Sequence, residues 1–211
     1  MTWSAIFFDF DGVILDSVNV KTEAFASMFR KYGEHVEKAV VEYHEANGGL
    51  SRFEKFTYFY KHILNQPINQ KTLDHLGYKF NQMVINKVLQ SPFIPGAEKT
   101  LQKIKKQSIP AFIVSGTPDE ELKQIVLMRN LKEFFVEIHG SPRKKSAIVN
   151  DIAERFEYQL NSTLFIGDSM TDYETASTCG TQFLGVVGEG HTSPFPVKTM
   201  LSAVLTIPDT P

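Results

Sequence analysis

Five short apolar runs, separated by stretches with helical patterning, constrain the fold of this 211-residue chain more than any other feature. The runs cover residues 5–10, 109–114, 134–138, 163–167 and 182–187. A segment that is apolar at successive positions is typical of a strand covered on both faces, as in the middle of a parallel sheet. Because these strands alternate with helices, we predict an α/β fold with a doubly wound parallel sheet.

The stretch between the first two runs has a different pattern. From about residue 17 to residue 92, apolar residues recur with the period of a helix, and no convincing strand pattern interrupts them. The segment SPFIPG at residues 91–96 is rich in residues that stop helices. We therefore predict an all-helical cap domain at 17–92, inserted into an α/β core domain formed by 1–16 and 93–211.

Composition excludes several classes of function. The net charge is -2 and the basic residues are scattered, so no patch for nucleic acid is evident. No run reaches the roughly 18 apolar residues of a membrane span, and the histidines do not have the spacing of a zinc site. The single Cys179 excludes an internal disulfide, and no basic leader precedes the first strand, so we expect a reducing cytoplasm. A small molecule is the expected partner, and the oligomeric state is not predicted.

Carboxylates follow two of the predicted strands. Asp9 and Asp11 come two residues apart at the end of the first strand, so their side chains point to the same side. Two like charges in an apolar segment need a compensating cation or proton. Asp168 and Asp172 follow the fourth strand, which can neighbour the first where a doubly wound sheet reverses its strand order. Four such carboxylates would form an oxygen-rich pocket that suits Mg²⁺.

These carboxylates also have purely structural interpretations. One member of the first pair could cap the turn that precedes Gly12. Asp172 could be a first-turn carboxylate that stabilises a helix running to Cys179. The convergence of four carboxylates at one sheet edge favours the metal site over these two alternatives.

The second strand is followed by a possible anion site. Thr117 reads as a helix N-cap, Pro118 as the first helical residue, and Glu120 as the residue that completes a capping box. The same segment could bind a phosphate through the Ser115 hydroxyl and the amides of Gly116 and Thr117. After the third strand, the sequence RKKS at 143–146 opens another helix, where a basic side chain could face the pocket or belong to a solvated patch.

Together, the motifs resemble those of the haloacid dehalogenase-like hydrolase superfamily. They are DFDGV at 9–13, SGT at 115–117, a lysine at the start of a later helix, and GDSMTD at 167–172, in that order. The helical insertion resembles the cap of the phosphoglycolate phosphatase and beta-phosphoglucomutase branch. The resemblance implies a Rossmann-like core with an inserted cap and a Mg²⁺-dependent phosphatase acting on a sugar phosphate or a phosphoglycolate-like metabolite.

The resemblance also implies roles for individual carboxylates. Asp9 would attack phosphorus and form an aspartyl-phosphate, and Asp11 would protonate the leaving oxygen and then activate water. Mg²⁺ would be held by the Asp9 carboxylate, the Asp11 backbone carbonyl and Asp168, with Asp172 supporting the site. Because Asp11 must give and then take a proton, we expect its pKa to lie nearer neutrality than that of a free Asp.

The remaining roles concern the phosphate and the rest of the substrate. Ser115 would bind the phosphoryl group, and the spacing SPxxK at 141–145 favours Lys145 over Lys144 as the family lysine. Arg52, after the glycine pair in the segment NGGLS at 47–51, is a candidate clamp on the leaving group. The alternative for Arg52 is a solvated residue in an ordinary turn between helices.

Four rival functions differ in how they use the same residues. A dehalogenase or phosphonatase does not need the acid at Asp11, which disfavours both. A beta-phosphoglucomutase-like phosphomutase uses the same core residues and is the enzymatic alternative. A phospho-acceptor signalling domain is the non-enzymatic alternative, but a long lid over the site suits a small substrate better than an exposed switch surface.

Overall fold

The computed structural model describes residues 3–208; residues 1–2 and 209–211, at the ends of the predicted core domain, lie outside it. Within the described part, the centre is a six-stranded sheet. Its strands are β1 (Ile6–Phe8), β2 (Ala111–Pro118), β3 (Glu137–Ser141), β4 (Leu164–Gly167), β5 (Gln182–Val186) and β6 (Met200–Ser202). All neighbouring pairs are parallel, in the order β3-β2-β1-β4-β5-β6. The predicted α/β fold is confirmed, and β1 lies between β2 and β4.

Four α-helices lie within residues 17–92: α1 (Val18–Phe29), α2 (Glu34–Ala46), α3 (Arg52–Tyr58) and α4 (Gln70–Gln90). We call them the inserted helices. Four more accompany the strands: α5 (Ala97–Lys106), α6 (Asp119–Met128), α7 (Lys145–Arg155) and α8 (Met170–Cys179). Residues 17–92, all of which are described, contain no strand. None of the helices in residues 3–208 is both long enough and apolar enough to cross a membrane.

Both faces of the sheet are buried, which explains the continuous apolar runs. On one face, the Phe7 ring stacks on Phe112 and Phe165 at centroid distances of 5.5 and 6.4 Å. This face packs against α7 and α8. Phe8, the next residue along β1, points to the opposite face, where α5 and α6 pack. Because helices cover both faces of the sheet, a ligand can approach β1 at the C-terminal end of the strands.

The inserted helices form an aromatic core that continues into the core of the sheet. Phe25 of α1 lies at its centre, with ring centroids 4.4 Å from Phe80 and 5.5 Å from Phe56 and Phe59. Phe25 and Phe8 belong to the same buried apolar cluster. The inserted helices therefore pack over the C-terminal ends of the strands.

Two strand predictions need correction. Phe134, the predicted start of the third strand, ends a short helical turn (Lys132–Phe134), and β3 begins at Glu137. Phe134 and Phe135 are apolar because this turn packs against the core, not because they belong to a strand. Strand β6 was not predicted, because it is a three-residue edge strand whose Met200 and Leu201 are exposed and form no apolar run.

Candidate active site

A cavity of about 190 Å³ lies beyond the carboxyl ends of β1, β2 and β4, under the inserted helices. Its lining on the sheet side includes Asp9, Asp11, Ser115, Gly116, Thr117 and Asp168. Its lining on the helical side includes Lys21, Phe25, His44, Arg52 and Lys55. The structure thus brings together predicted residues from three separate strand ends, because β1 is the central strand between β2 and β4.

Asp9, which lines this cavity, contacts Lys145. Asp9 is buried, and its Oδ1 lies 3.1 Å from Lys145 Nζ. Lys145 Nζ also donates a hydrogen bond to Asp172 Oδ1 at 2.6 Å. Lys145 is the first residue of α7 and is buried, whereas Lys144 is exposed. Of the two candidate lysines, Lys145 is therefore the one in contact with Asp9.

The carboxylates of the site carry more negative charge than the nearby lysines compensate. Burial, together with Asp172 and Asp11, raises the pKa of Asp9 to about 6 despite Lys145. Burial and the charge of Asp9 raise the pKa of Asp168 well above its ordinary value. Although burial acts to lower the pKa of Lys145, the carboxylates of Asp172 and Asp9 raise it. These shifts indicate a site that favours an additional cation.

The donor atoms fit a hard divalent cation. One carboxylate oxygen from each of Asp9, Asp168 and Asp172 lies within 4.8 Å of the others. Asp9 Oδ1 is buried and forms the ion pair with Lys145, but within residues 3–208 it accepts no hydrogen bond. The cluster offers only oxygen, the donor that Mg²⁺ prefers. The residues present therefore fit the predicted metal.

Asp172 both caps the start of α8 and contacts Lys145 beside the carboxylate cluster. Its Oδ2 accepts hydrogen bonds from the Ser169 amide at 3.2 Å and from the Ser169 hydroxyl at 2.6 Å, which caps α8. Its Oδ1 accepts from Lys145. Because both oxygens already have donors, Asp172 is better placed to hold Lys145 and the carboxylate cluster than to bind a cation directly.

Gly12 allows the loop after β1 to approach the loop after β4. Its φ of +77° lies in the left-handed region that favours glycine. A Cβ atom at this position would lie 2.2 Å from Asp168 Oδ2. Any other residue here would displace the Asp168 carboxylate from the cluster.

Asp11 is held by a cation that the sequence motifs do not include. Lys21 of α1 forms an ion pair with Asp11, and Ser17, one helical turn before Lys21, donates to the same carboxylate. Although burial acts to raise the pKa of Asp11, Lys21 and the hydrogen bonds from Ser17 and Thr117 hold it below its ordinary value. The expectation of a pKa nearer neutrality is therefore wrong for this structure. The one signal in the sequence for the contact of Lys21 with Asp11 is the i, i+4 spacing of Ser17 and Lys21. This spacing is common on solvated helices and so does not predict the contact.

Thr117 also supports Asp11, and this corrects two predictions. Its hydroxyl donates to Asp11 Oδ2 at 2.9 Å and accepts from Lys21 Nζ at 2.8 Å. Helix α6 begins at Asp119, so Thr117 is not an N-cap; β2 continues through Thr117 to Pro118. The Thr117 amide donates to Ser115 Oγ at 3.2 Å rather than pointing to a ligand. Ser115 and Gly116 remain the candidates for phosphate binding.

The loop between α2 and α3 lies directly on residues 115–117, the segment predicted to bind phosphate. A Cβ atom at Gly116 would lie 2.3 Å from the carbonyl oxygen of Gly49. A Cβ atom at Gly49 would lie 3.2 Å from Lys145 Nζ. Both glycines therefore permit a close approach between the inserted helices and the sheet, and the loop covers the site.

Arg52 lines the cavity, but its charge is already paired. Its guanidinium donates to Glu121 Oε1 of α6 at 2.6 Å and lies 4.6 Å from the centroid of the Phe80 ring. Asn81 of α4 donates to the other oxygen of Glu121. Glu121, 69 residues away in sequence, neutralises Arg52, so the clamp on the leaving group stays a prediction. The alternative of a solvated residue is wrong, because Arg52 is buried. The Arg52–Glu121 pair joins the inserted helices to α6 beside the sheet.

We expect Arg52→Met to lower the free energy of unfolding by about 3–5 kcal/mol, since it leaves Glu121 buried without its cation. Urea denaturation would measure this loss. The double variant Arg52→Met/Glu121→Met should recover most of it, and Arg30→Met, at an exposed arginine paired with Glu37, is the control. Unchanged stability with a raised KM would instead support the substrate clamp.

The chain is similar in sequence and in structure to known proteins. A sequence model described as "Haloacid dehalogenase-like hydrolase" matches residues 6–186. A predicted phosphoglycolate phosphatase from Haemophilus somnus 129PT has a similar structure, with a TM-score of 0.72, 18% identity, and coverage of 95% of this chain and 94% of the other. The beta-phosphoglucomutase from Clostridium difficile gives a TM-score of 0.73 and 18% identity over 89% of this chain and 86% of the other.

CbbY from Rhodobacter sphaeroides, solved in complex with phosphate, is also similar in structure. Its TM-score is 0.72 at 15% identity, with 96% of this chain and 95% of the other covered. At such identities the structural likeness shows the fold. The family is shown by the sequence match, which covers most of the chain and includes both carboxylate motifs. The chain therefore belongs to the haloacid dehalogenase-like hydrolase family.

Proposed function

We propose that this protein is a Mg²⁺-dependent phosphatase that hydrolyses a small phosphate monoester through an aspartyl-phosphate on Asp9. One observation carries the proposal: the Asp9 carboxylate is buried, contacts Lys145, and lines a cavity shared with Ser115 and Asp168. The similar structures include proteins named as a phosphoglycolate phosphatase and a beta-phosphoglucomutase. We accordingly propose a sugar phosphate or a phosphoglycolate-like acid as the substrate class.

The proposed reaction has two displacements. An oxygen of Asp9 attacks phosphorus, the bond from phosphorus to the leaving oxygen breaks, and that oxygen takes a proton from Asp11. Asp11 then takes a proton from a water molecule, which attacks phosphorus and breaks the bond to Asp9, releasing inorganic phosphate. The ion pair with Lys21 favours the ionised form of Asp11, which is the base that the second displacement needs. The same ion pair opposes the protonated form that the first displacement needs, so the proton that Asp11 takes from water in one turnover must be kept for the next.

The first displacement requires positive charge around the phosphate. A carboxylate and a phosphate dianion in contact repel each other by about 10 kcal/mol at an effective dielectric near 20. Lys145, held by Asp172, supplies one compensating charge beside Asp9. When bound by Asp9, Asp168 and the Asp11 backbone carbonyl, Mg²⁺ would supply the rest by neutralising phosphoryl oxygens.

The covered position of the site favours a phosphatase over the signalling alternative. A phosphomutase would use the same core residues and is the enzymatic alternative. A signalling domain needs an exposed switch surface, whereas the loop at 47–51 covers this site. Release of inorganic phosphate from a monophosphate without a bisphosphate activator would separate the phosphatase from the mutase.

We expect Mg²⁺ at about 100 times its Kd to stabilise the wild type by about 2.7 kcal/mol, which raises the Tm by roughly 5–10 °C. Asp168→Asn should lose this rise and should also lose phosphate release in a screen of phosphorylated metabolites. Glu174→Gln, at an exposed glutamate two residues after the motif, is the control. Equal phosphate release by the wild type with Mg²⁺ and with a chelator would contradict the proposed cofactor.

We also propose the reducing cytoplasm as the location of this enzyme. Support comes from Cys179, which is buried and carries a free thiol. A small phosphorylated molecule is its proposed partner, and neither nucleic acid nor a membrane is part of the proposal.

A further inference from the structure

The inserted helices place two basic side chains at the cavity that the proposed reaction does not use. Lys55 of α3 and His44 of α2 are only 3% and 6% exposed. Both line the same cavity as Asp9 and Asp11. Lys55 Nζ lies 2.7 Å from His44 Nδ1, and the His44 ring is held in place by Phe25, with centroids 4.8 Å apart. Two nitrogen bases therefore meet at the site.

The contact between these two bases allows only one of them to be charged. An ammonium has only donors, and a protonated imidazole has a donor on each ring nitrogen, so two protonated groups cannot share a hydrogen bond. Burial and the charge of Lys55 lower the pKa of His44 to about 3, so the ring is neutral. Nδ1 then accepts a hydrogen bond from the Lys55 ammonium. The proton of the pair lies on Lys55.

Lys55 differs from Lys145 because, within residues 3–208, it forms no ion pair. Lys145 pairs with Asp9 and Asp172, whereas the hydrogen bond of Lys55 is to a neutral ring. Burial, and then the charge of Lys21, lowers the pKa of Lys55 to about 7. The charged and titratable groups around Lys55 lie on five elements: Lys21 on α1, His44 on α2, Lys145 on α7, Asp11 after β1 and Asp168 after β4. A buried amine of this kind gives up its proton readily, as a general acid must.

Asp11 has contacts that suit a base better than an acid. Its Oδ1 accepts a hydrogen bond from Ser17, and its Oδ2 accepts from Lys21 and Thr117. A proton on either oxygen would displace one of these donors. The contacts therefore favour a carboxylate that takes a proton from water over one that begins the reaction with a proton to give.

We propose that Lys55, held by His44, is the general acid of the first displacement, and that Asp11 is the base of the second. The bond from phosphorus to the leaving oxygen breaks, its electron pair stays on that oxygen, and the oxygen takes a proton from the Lys55 ammonium. Lys55 is then a neutral amine. After phosphate has left, the proton that Asp11 took from water returns through solvent to this amine. This inference rests on the proposed phosphatase function and changes the source of one proton within it.

Two esters that differ in their leaving group test this assignment. Benzyl phosphate must release an alkoxide unless an acid supplies a proton, whereas 4-nitrophenyl phosphate releases a stable phenolate without one. With Mg²⁺ present, Lys55→Met should lower kcat/KM for benzyl phosphate by about 10²- to 10⁴-fold. Its kcat/KM for 4-nitrophenyl phosphate should stay within about threefold of the wild-type value. An alkyl ester identified in the metabolite screen should behave as benzyl phosphate does.

Two further variants separate the proton from the charge. Lys55→Arg keeps a positive charge but holds its proton at every pH of the assay, so it should lose activity on benzyl phosphate as Lys55→Met does. Lys61→Met, at an exposed lysine shortly after α3, is the matched control and should hydrolyse both esters as the wild type does.

The pH profile gives an independent readout. Lys55 can donate only while it is protonated, so kcat/KM of the wild type for benzyl phosphate should fall as the pH rises through about 7. This fall should be absent from the wild-type profile for 4-nitrophenyl phosphate. It should also be absent from the residual activity of Lys55→Met on benzyl phosphate.

The possible outcomes separate the acid from the phosphatase. Equal losses on both esters in Lys55→Met, or no loss on either, would overturn the acid and leave the phosphatase standing. Full activity of Lys55→Arg on benzyl phosphate would do the same. A Tm of Lys55→Met at or above that of the wild type, expected when an unpaired buried cation is removed, would show that the fold is intact. Release of phosphate from neither ester and from no metabolite would overturn the proposed function and the acid with it.

Discussion

Asp9→Asn is expected to reduce phosphate release by about 10⁴-fold or more, the scale seen when a nucleophile that works as part of a unit is removed. The amide has nearly the shape of the carboxylate but cannot attack phosphorus as an anion. Lys145 keeps its hydrogen bond to Asp172 in this variant. The fold should therefore remain, with a Tm close to that of the wild type. Steady-state release of inorganic phosphate and thermal denaturation would measure the two effects.

Asp16→Asn is the matched control for this prediction, because Asp16 is exposed at the end of the same segment. Its activity should equal that of the wild type. If Asp9→Asn retained activity within about tenfold of the wild type, Asp9 would be a structural carboxylate and the reaction would use another nucleophile.

Lys145→Met is expected to have the second-largest effect, on both activity and stability. It removes the cation that contacts Asp9 and Asp172, so these two members of the carboxylate cluster lose their ion-pair partner. We expect kcat/KM to fall by about 10²–10³-fold and the free energy of unfolding to fall by about 3–5 kcal/mol in the absence of Mg²⁺. Phosphate release and urea denaturation with and without Mg²⁺ would measure both losses.

The neighbouring lysine provides the control for this variant. Lys144 is exposed and precedes α7, so Lys144→Met should behave as the wild type in both assays. The opposite pattern, with losses in Lys144→Met and none in Lys145→Met, would show that the wrong lysine is assigned to the site.

The meeting of Asp9, Asp168 and Asp172 could be predicted because it depends on local patterns and one topological rule. Apolar runs locate the strands, and parallel strands present their carboxyl ends at one edge. Lys145 could be favoured because it falls on the buried side of a helix whose apolar positions are visible in the sequence. The family resemblance then supplied roles that spacing alone does not give.

The parts that could not be predicted involve contacts between the inserted helices and the sheet domain. Lys21 meets Thr117 across 96 positions of sequence, and Arg52 meets Glu121 across 69. Nothing local to either residue reveals its partner, because the contact depends on how the inserted helices dock. For the same reason, the sequence does not reveal that Glu121 neutralises Arg52. Nor does it reveal that Lys21 lowers the pKa of Asp11, which was expected to be raised.

The burial of Lys55 is a further feature that could not be predicted. A single lysine on a helix ordinarily has its charge in solvent, and its burial follows from the packing of α3 against Phe25 and the rest of the aromatic core. Within residues 3–208 it forms no ion pair, and this is visible only once the surrounding residues are placed.

The central claim is that phosphate passes through a covalent bond to Asp9. The direct test is to mix the wild type with a substrate found in the metabolite screen and Mg²⁺, quench in acid within the first turnovers, and map phosphorylated peptides by mass spectrometry. We predict one phosphoryl group on the peptide that contains Asp9, and none in Asp9→Asn. Rapid turnover by the wild type with no phosphoryl group on that peptide at any time would contradict the account.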